Sequence, residues 1–489
     1  MKSLPTTLVA GYLAIVVQTL IGLFFVPFLL SDNGVGLAGF AAIATLQSAA
    51  ALITFLFDGY RQYAARTIAL AVQNGEGRAL SAIYYFSLLC TIGVVGIWVM
   101  VWPSISTLIG LYAKDVVMGG FLAAACVVVE QLSYVLECHQ HAVKRSWVPS
   151  GLGALDSLLR ASFTIILFMS FSATVSQFFL AAFLGQSMKL VVLLWLSPIA
   201  IRVPAGQWGA WMLSECKAFG ESLPLALNGI APFVVFRGGV IMANAMLAGE
   251  PAGVIAIILV TLRTYINQGL FSVLRPMLIP RLALVDIYDK TSTAFRRLMT
   301  YLDLFQVFTL LVGVWAVVST SWWFSLWLGS SVEGYARLAQ IAVAVYFLEI
   351  AYGVQYSCLI AHNNGRTLAL LTGFFAFIAS VSAAVGTFHF STATSCVGPI
   401  MVYVLSYVVA VRLIFGKYFD CSLQRSDICT GLFIFAVCAG IGIEAMTGRV
   451  SVLFALLAGA LFAGLSHAVG IRISLGQYCL VWKREVADV

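Results

Sequence analysis

The chain is divided into apolar runs that are each long enough to cross a lipid bilayer, and this pattern restricts its fold more than any other feature. A transmembrane helix needs about 20 predominantly apolar residues. Only 10% of the 489 residues are charged, against roughly a quarter in a soluble protein. We therefore predict an all-α polytopic membrane protein with fourteen transmembrane helices. The runs are Val9–Leu30, Gly36–Phe57, Leu80–Trp102, Val116–Leu136, Gly151–Phe171, Val175–Leu196, Leu223–Leu247, Ala252–Leu274, Tyr301–Ser319, Leu338–Ile360, Thr367–Phe388, Thr394–Phe415, Cys429–Met446 and Val450–Ile471.

Two of these runs leave an alternative open. Arg449 leaves almost no turn between the last two runs, so they are also compatible with a re-entrant hairpin.

The first run is followed by no small-residue cleavage site, and we interpret it as a retained span rather than a signal peptide.

The positions of Lys and Arg predict the orientation, because cytoplasmic loops carry an excess of both. With the N-terminus inside, the cytoplasmic segments contain 18 of the 27 Lys and Arg residues, and the outer loops contain only Lys114, Arg337 and Arg449. We predict that both termini are cytoplasmic. The longest loops are then the cytoplasmic segments Asp58–Ala79, Ser197–Ser222 and Met277–Thr300.

A faint internal repeat relates the first two runs to the seventh and eighth. An offset of 217 residues places Gly36 on Gly253 and Asp58 on Arg275. The second copy begins six runs after the first, an even number, so the copies share one orientation. Parallel repeats of this kind are related by an axis along the membrane normal, with the substrate site at their interface. We predict an N-terminal six-helix lobe (1–220), a C-terminal six-helix lobe (221–425), and two additional helices with a cytoplasmic tail (426–489).

The seventh and eighth runs form a helix pair that carries one arginine near the middle of each helix. Arg237 and Arg263 lie ten and eleven residues from the outer turn, which is a depth of roughly 15–16 Å. Neither has an acidic residue three or four positions away. A charge at the membrane centre costs a few kcal/mol or more, and it usually faces a polar cavity. The two arginines therefore predict a cationic floor for an anionic ligand.

Further charges lie in other runs, and each has a structural alternative. Arg160 and Glu349 are at the same depth as the two arginines, and we predict that Arg160 joins the cationic layer. Asp156 and Arg160 can equally form a local pair, because positions i and i+4 share one helix face. Glu349 can serve as a counter-ion to Arg237 or Arg263, or as a coupling residue. Lys189 can extend its ammonium group towards the cytoplasm.

Several function classes have no support in the sequence. No Walker motif, nucleophile elbow or HExxH sequence occurs, and no outer loop is long enough to form a catalytic domain. The ten cysteines form no CxxC pair, which argues against a zinc site or a disulfide framework. The net charge of +7 follows from membrane orientation and does not indicate nucleic-acid binding. We predict that the protein is not an enzyme and has no cofactor, although H⁺ or Na⁺ coupling remains open.

Three stretches resemble the opening of the oligosaccharide (O-antigen type) flippases. They are Gly11–Leu30, Gly34–Phe40 and Phe57–Arg66. This polysaccharide transporter branch belongs to the MOP superfamily, with the MATE exporters and the lipid II flippase. In that branch an Asp-x-Gly followed by an arginine ends the second span, whereas this chain has Asp58-Gly59 without the intervening residue. The segments Leu223–Pro232 and Arg275–Leu282 resemble the seventh and eighth spans of the same branch.

The resemblance implies two six-helix bundles around a central cavity and an alternating-access mechanism. It implies a bacterial cytoplasmic membrane and a polyprenyl-pyrophosphate-linked oligosaccharide as substrate, with a polysaccharide polymerase and a chain-length regulator as partners. Arg237, Arg263 and Arg160 would bind the pyrophosphate. Asp58, Asp156 or Glu349 would balance charge or couple to a cation, and a cytoplasmic gate would contain Arg61, Arg66 and Arg275.

Two other functions remain open at this point. One is a cation-coupled multidrug exporter, for which an acidic and aromatic lumen is expected instead of arginines. The other is a membrane glycosyltransferase or polymerase, which would need a catalytic acidic motif on a large outer loop.

Overall fold

The structure is a computed structural model, and it describes residues 3–74, 77–108, 113–143, 145, 147–197, 208–247, 249–270, 293–361, 365–390, 393–419, 428 and 430–437. Every regular element in these residues is a helix, which confirms the predicted fold class. The α-helices are α1 (Ser3–Leu30), α2 (Gly36–Gln73), α3 (Gly77–Leu108), α4 (Lys114–Ala142), α5 (Trp147–Ser170), α6 (Val175–Leu196), α7 (Trp208–Pro232), α8 (Gly239–Leu247), α9 (Gly249–Ala256), α10 (Arg263–Leu270), α11 (Thr293–Leu328), α12 (Ala336–Ala361), α13 (Gly365–Phe390) and α14 (Ala393–Phe419).

Ten helices of the described residues are long and apolar enough to cross a membrane. They coincide with the first six predicted runs, the eighth to tenth, and the twelfth. The seventh and eleventh runs contain the shorter apolar helices Phe233–Leu247 and Gly373–Gly386. Residues 430–437 of the thirteenth run are helical, and the fourteenth run lies outside the described residues. The exact number of spans stays a prediction.

The prediction that Asp58–Ala79 is a loop is wrong for most of its length. Helix α2 continues without a break to Gln73. Its continuation has an apolar face, because Tyr60, Ala64 and Ile68 recur every four residues and are buried against Ile83 and Leu136. This 3.6-residue periodicity stabilises a helix outside the membrane. A search for uniformly apolar runs does not detect it.

The other two long cytoplasmic segments also contain helix. Helix α7 begins at Trp208, inside the predicted loop Ser197–Ser222, and α11 begins at Thr293, inside the predicted loop Met277–Thr300. Residues 198–207 and 271–292 lie outside the described residues. The membrane helices therefore extend into the predicted cytoplasmic layer.

Contacts within the chain divide it into two units. One contains Pro5–Val260 and Ser380–Cys396, and the other contains Met1–Leu4, Thr261–Ala379 and Val397–Val489. The division between the two units at Val260 lies in the eighth predicted run, three residues before Arg263. The predicted lobe boundaries at residues 220 and 425 stay a prediction.

The first unit is built around α2, which packs against α4, α7 and α9. Helices α1, α3, α5 and α6 expose large apolar side chains, including Phe24, Met100, Met169 and Trp195. These side chains suit contact with lipid, because a bilayer solvates apolar groups on the outside of a helix bundle.

The second unit is built around α11 and α12, which pack along each other. A buried chain of polar groups joins them to the helix at 430–437. Gln355 Nε2 donates to Gln306 Oε1 at 3.2 Å, and Gln306 Nε2 donates to Thr430 Oγ1 at 3.2 Å. The hydroxyl groups of Tyr352 and Thr430 are 3.1 Å apart. These hydrogen bonds fix the start of the thirteenth predicted span against the core of this unit.

A close backbone approach joins α2 and α9 near the predicted outer surface. A Cβ atom added at Gly253 would overlap the backbone carbonyl of Leu37, so only glycine allows this packing. Small residues let membrane helices approach closely, and packing then replaces the hydrophobic effect as the source of stability. Gly36 and Gly249 precede the contact with φ angles of 68° and 62°, a left-handed conformation that favours glycine.

Two π-helical segments interrupt the predicted seventh and eighth runs. The first is Phe233–Gly238, between α7 and α8, and the second is Ile257–Leu262, between α9 and α10. Arg237 lies in the first segment, and Arg263 follows directly after the second. Short π-helical turns frequently occur at functional sites.

Candidate functional site

The best-defined charge pair inside the predicted membrane layer joins α10 to α12. Arg263 Nε donates to Glu349 Oε2 at 3.0 Å, and Arg263 Nη2 donates to Glu349 Oε1 at 2.6 Å. The pair is bidentate, which is the strongest arrangement of guanidinium and carboxylate. The side chains are 26% and 17% exposed. Both side chains are therefore largely but not fully buried.

Two buried tyrosines lie close to this pair. Tyr346 is fully buried and Tyr403 almost so, and both interact electrostatically with Arg263. The structure thus pairs Glu349 with Arg263, one of the two arginines for which Glu349 was predicted as a counter-ion. Their role in binding or coupling stays a prediction.

A second charge pair lies within α5. Arg160 Nη2 donates to Asp156 Oδ2 at 2.9 Å, so the local pair predicted from the spacing forms. The amide of Gln186 adds a partner from α6: with its oxygen towards Arg160 Nη2, at 3.2 Å, its nitrogen donates to the carbonyl of Cys126 at 3.0 Å. Hydrogen-bond partners decide this amide orientation.

The α5 pair is less complete than the pair at Arg263. Arg160 Nε and Asp156 Oδ1 are both buried, and neither has a hydrogen-bond partner among the described residues. Buried polar atoms without partners are uncommon. Both atoms are also closed to solvent, so a ligand could reach them only if the surrounding side chains moved.

Helix α4 carries two carboxylates on one face, and each contacts a cation. Lys189 Nζ lies 2.5 Å from Glu137 Oε1, and Arg61 Nη2 lies 3.4 Å from Glu130 Oε1. Glu137 lies seven residues nearer the predicted cytoplasmic end of α4 than Glu130. The extension of the Lys189 ammonium towards the cytoplasm stays a prediction. The contribution of Glu137 was not predicted, although its spacing from Glu130 places both on one helix face.

The predicted cytoplasmic gate is described only at Arg61. Arg61 Nε donates to Gln131 Oε1 at 2.7 Å, and its guanidinium lies 5.0 Å from the centre of the Tyr134 ring, within cation–π distance. Asp58 and Arg66 lie in α2, but their side chains fall outside the described part of the chain, as does Arg275 entirely. Arg237 is half-buried in its π-helical segment.

One buried carboxyl group was not predicted as a site. Glu215 on α7 accepts a hydrogen bond from Tyr60 Oη of α2 at 2.7 Å, and both residues are buried. The spacing of the buried residues Glu215, Ala218 and Ser222 on one face of α7 is the sequence signal for this contact. It is a weak signal, because the segment also contains exposed charges.

Comparison with known proteins gives structural matches only. No family model matches the chain, and no curated protein matches it. The lipid II flippase MurJ, in an inward closed conformation, has a TM-score of 0.67 at 12% sequence identity, over 95% of this chain and 99% of that chain. A mutant of the MATE transporter VcmN of Vibrio cholerae has a TM-score of 0.59 at 12% identity, over 86% and 99% of the two chains. A eukaryotic MATE transporter has a TM-score of 0.55 at 13% identity, over 85% and 95%.

These similarities extend over nearly the full length of each transporter. At such low identity they show that the chain shares the fold of the lipid II flippase and the MATE transporters. A shared fold does not specify a substrate, which depends on the residues of the site.

Proposed function

We propose that this protein is a membrane transporter that flips polyprenyl-pyrophosphate-linked oligosaccharide units from the cytoplasmic to the outer leaflet, for surface polysaccharide synthesis. The observation that carries the proposal is the partly exposed guanidinium of Arg263, at a predicted mid-membrane depth, in a fold shared with a lipid II flippase. The protein would lie in the bacterial cytoplasmic membrane, and both of its termini would be cytoplasmic.

The chemistry of Arg263 suits a pyrophosphate. A guanidinium group binds phosphate oxygens through two parallel hydrogen bonds, as it binds a carboxylate. A pyrophosphate can therefore replace Glu349 at the same two nitrogens, Nε and Nη2. In a medium of low dielectric constant this attraction is much stronger than in water.

Glu349 has a defined part in such a cycle. When the transporter is empty, the carboxylate neutralises Arg263, so no unpaired charge crosses the membrane during the return step. When substrate binds, the pyrophosphate takes the place of the carboxylate. Displaced Glu349 then needs a cation, and H⁺ or Na⁺ can supply that charge.

Arg160 and Arg237 stay predicted ligands of the same pyrophosphate. Arg160 Nη2 donates to Asp156 Oδ2 at 2.9 Å, so an anion that binds this guanidinium would compete with that carboxylate. Arg237 at the matching depth would complete the cationic layer. A bare dianion moving outward would gain about 2.3 kcal/mol per charge per 100 mV from an inside-negative potential. Neutralising arginines that travel with it would remove most of that gain.

Removal of the Arg263 charge tests this proposal. The double variant Arg263→Gln, Glu349→Gln removes both charges and leaves neither unpaired, so folding is preserved better than in a single variant. We expect it to lose most flipping of a fluorescent lipid-linked oligosaccharide in reconstituted vesicles. The assay measures how much of the sugar a membrane-impermeant glycosidase can reach over time.

Arg337→Gln is the matched control, because Arg337 is exposed and lies in a predicted outer loop. It should flip substrate at the wild-type rate. If the double variant folds and flips substrate as fast as the wild type, the pair is structural and the proposed pyrophosphate site is wrong.

A cation-coupled multidrug exporter is the second candidate, favoured by the MATE transporters among the structural matches. Drug efflux from the same vesicles separates the two. An exporter would move a cationic drug, would not flip lipid-linked sugar, and would depend on Asp156 and Glu349 more than on Arg263.

A further inference from the structure

The buried carboxyl group of Glu215 has surroundings unlike those of Glu137, Asp156 and Glu349. It lies on α7, on the predicted cytoplasmic side of the seventh run, and only 7% of the residue is exposed. Its hydrogen-bond partner Tyr60 is 1% exposed. Glu137, Asp156 and Glu349 each contact a cation, whereas Glu215 contacts a neutral phenol.

The walls around the pair are aromatic. The Tyr60 ring lies 5.1 Å from the Phe86 ring and 5.9 Å from the Phe219 ring, between ring centres. Phe57 lies 6.0 Å from Phe219. These rings come from α2, α3 and α7, so the carboxyl group lies where three helices meet.

Among the described residues near Glu215, no cationic side chain contacts its carboxyl group. Lys217 lies on the same helix, is exposed, and approaches Glu221 at 3.9 Å. Arg61 follows Tyr60 in the sequence but binds Gln131 and Glu130 of α4. The other titratable groups in this region are Tyr63 of α2, Cys90 of α3 and Cys216 of α7.

An ionised carboxylate is unfavourable in such a place. Transfer of a charge into an apolar site is costly unless a counter-ion or several hydrogen bonds compensate, and Tyr60 supplies one bond to an ion that has about four acceptor positions. Burial raises the pKa of Glu215, and the hydrogen bond from Tyr60 opposes this rise only in part.

We propose that Glu215 is a proton-binding site whose occupancy is coupled to the packing of α7 against α2. The carboxyl group holds a proton while the helices are packed, and it releases the proton to water when α7 moves away and the group becomes hydrated. The proposed proton binding does not depend on which substrate is transported, and so it goes beyond the proposed function.

The position of α7 gives the proton a connection to the transport path. Helix α7 continues directly into the π-helical segment that contains Arg237. A change in the packing of α7 is therefore transmitted along one continuous helix towards the middle of the membrane. Proton binding at Glu215 would bias the position of that segment.

The sign of the pH dependence follows from the raised pKa. The packed state binds more protons than the open state at every pH between the ordinary carboxyl value and the raised value. Packing is therefore strongest below the ordinary value, and it weakens as the pH rises through this window towards the raised value.

Infrared spectroscopy of the protein in vesicles tests for the proton. We expect the wild type to show a protonated carboxyl band that persists to a higher pH than an ordinary carboxyl group allows and that Glu215→Gln reduces. Glu221→Gln is the matched control, since Glu221 is on the same helix with an exposed side chain, and it should leave the band unchanged. A band of equal intensity in wild type and Glu215→Gln overturns the proposal.

Hydrogen–deuterium exchange tests the coupling. The exchange rate of α7 peptides in the wild type, divided by the rate in Glu215→Gln, should rise with pH because the packing of α7 weakens. Intrinsic exchange also rises with pH, but it cancels in this ratio. Tyr60→Phe removes the bond that favours the ionised form, so it should shift this rise to higher pH. A ratio that is constant with pH, or a Tyr60→Phe profile that coincides with the wild type, contradicts the coupling.

Discussion

At the scale of single residues, charges in the described helices are held mainly in specific pairs. Arg263 with Glu349 and Arg160 with Asp156 each combine one positive and one negative group. Two opposite charges at hydrogen-bond distance offset much of the cost of removing each from water. Each pair therefore holds a cation within the predicted membrane layer at modest cost.

The pair at Arg263 predicts a specific pattern of stabilities. Glu349→Gln should lower the free energy of unfolding by about 2–3 kcal/mol, because it leaves a guanidinium without its counter-ion; partial exposure keeps this below the cost for a fully buried pair. Arg263→Gln should have a similar cost. The double variant should be closer to the wild type than either single variant.

Thermal unfolding in detergent measures this double-mutant cycle. The interaction energy of the pair is the departure of the double variant from the sum of the single variants. Additive effects would mean that the two groups are not coupled in the folded protein, contrary to the bidentate geometry.

Sequence spacing predicts some of these contacts and cannot predict others. Asp156 and Arg160 are four positions apart on one helix, so the helix itself fixes their distance. Arg263 and Glu349 are 86 residues apart, and only their equal depth in the membrane points to the pair. Tyr60 and Glu215 are 155 residues apart and lie outside the apolar runs, so hydropathy gives no depth that would relate them.

At the scale of helices, the packing of α2 against α9 depends on one glycine. Gly253→Ala should destabilise the protein by about 1–3 kcal/mol, because the added methyl group meets the backbone of Leu37 and one helix must shift. Gly96→Ala is the control, since an added Cβ at Gly96 contacts nothing within 4 Å. That substitution should be neutral or slightly stabilising, because alanine favours a helix over glycine.

Unfolding temperatures of the two variants test this contrast. The two substitutions add the same methyl group in a membrane helix, so their difference isolates the effect of the neighbour. Equal unfolding temperatures would show that α2 and α9 are not in close contact.

Helix ends are less predictable than helix existence. Hydropathy locates the apolar centre of α2, but it places the end near Phe57, whereas the helix continues to Gln73. The continuation is stabilised by an apolar face, with about one buried residue in each helical turn, and not by uniform apolar composition. The π-helical segments give no hydropathy signal at all, because they change the hydrogen-bond pattern without changing the composition.

At the scale of the whole molecule, the charge distribution predicts the topology. A green fluorescent protein fused after Val489 should fluoresce, since the predicted C-terminus is cytoplasmic. Alkaline phosphatase inserted next to Lys114 or Arg337 should be active, because the enzyme needs the outer side of the membrane. The opposite pattern of activities would reverse the predicted orientation and place the Tyr60–Glu215 pair on the outer side.

The π-helical segment before Arg263 has a consequence for evolution and engineering. A π-helical turn holds one residue more than an α-helical turn, so it changes the direction of every side chain that follows by about 100°. A related protein with an ordinary helix here would need one residue fewer between Gly249 and the arginine to point that arginine the same way. A single-residue gap in an alignment of this helix would then mean that the direction of the arginine side chain is kept, and not that the arginine is missing.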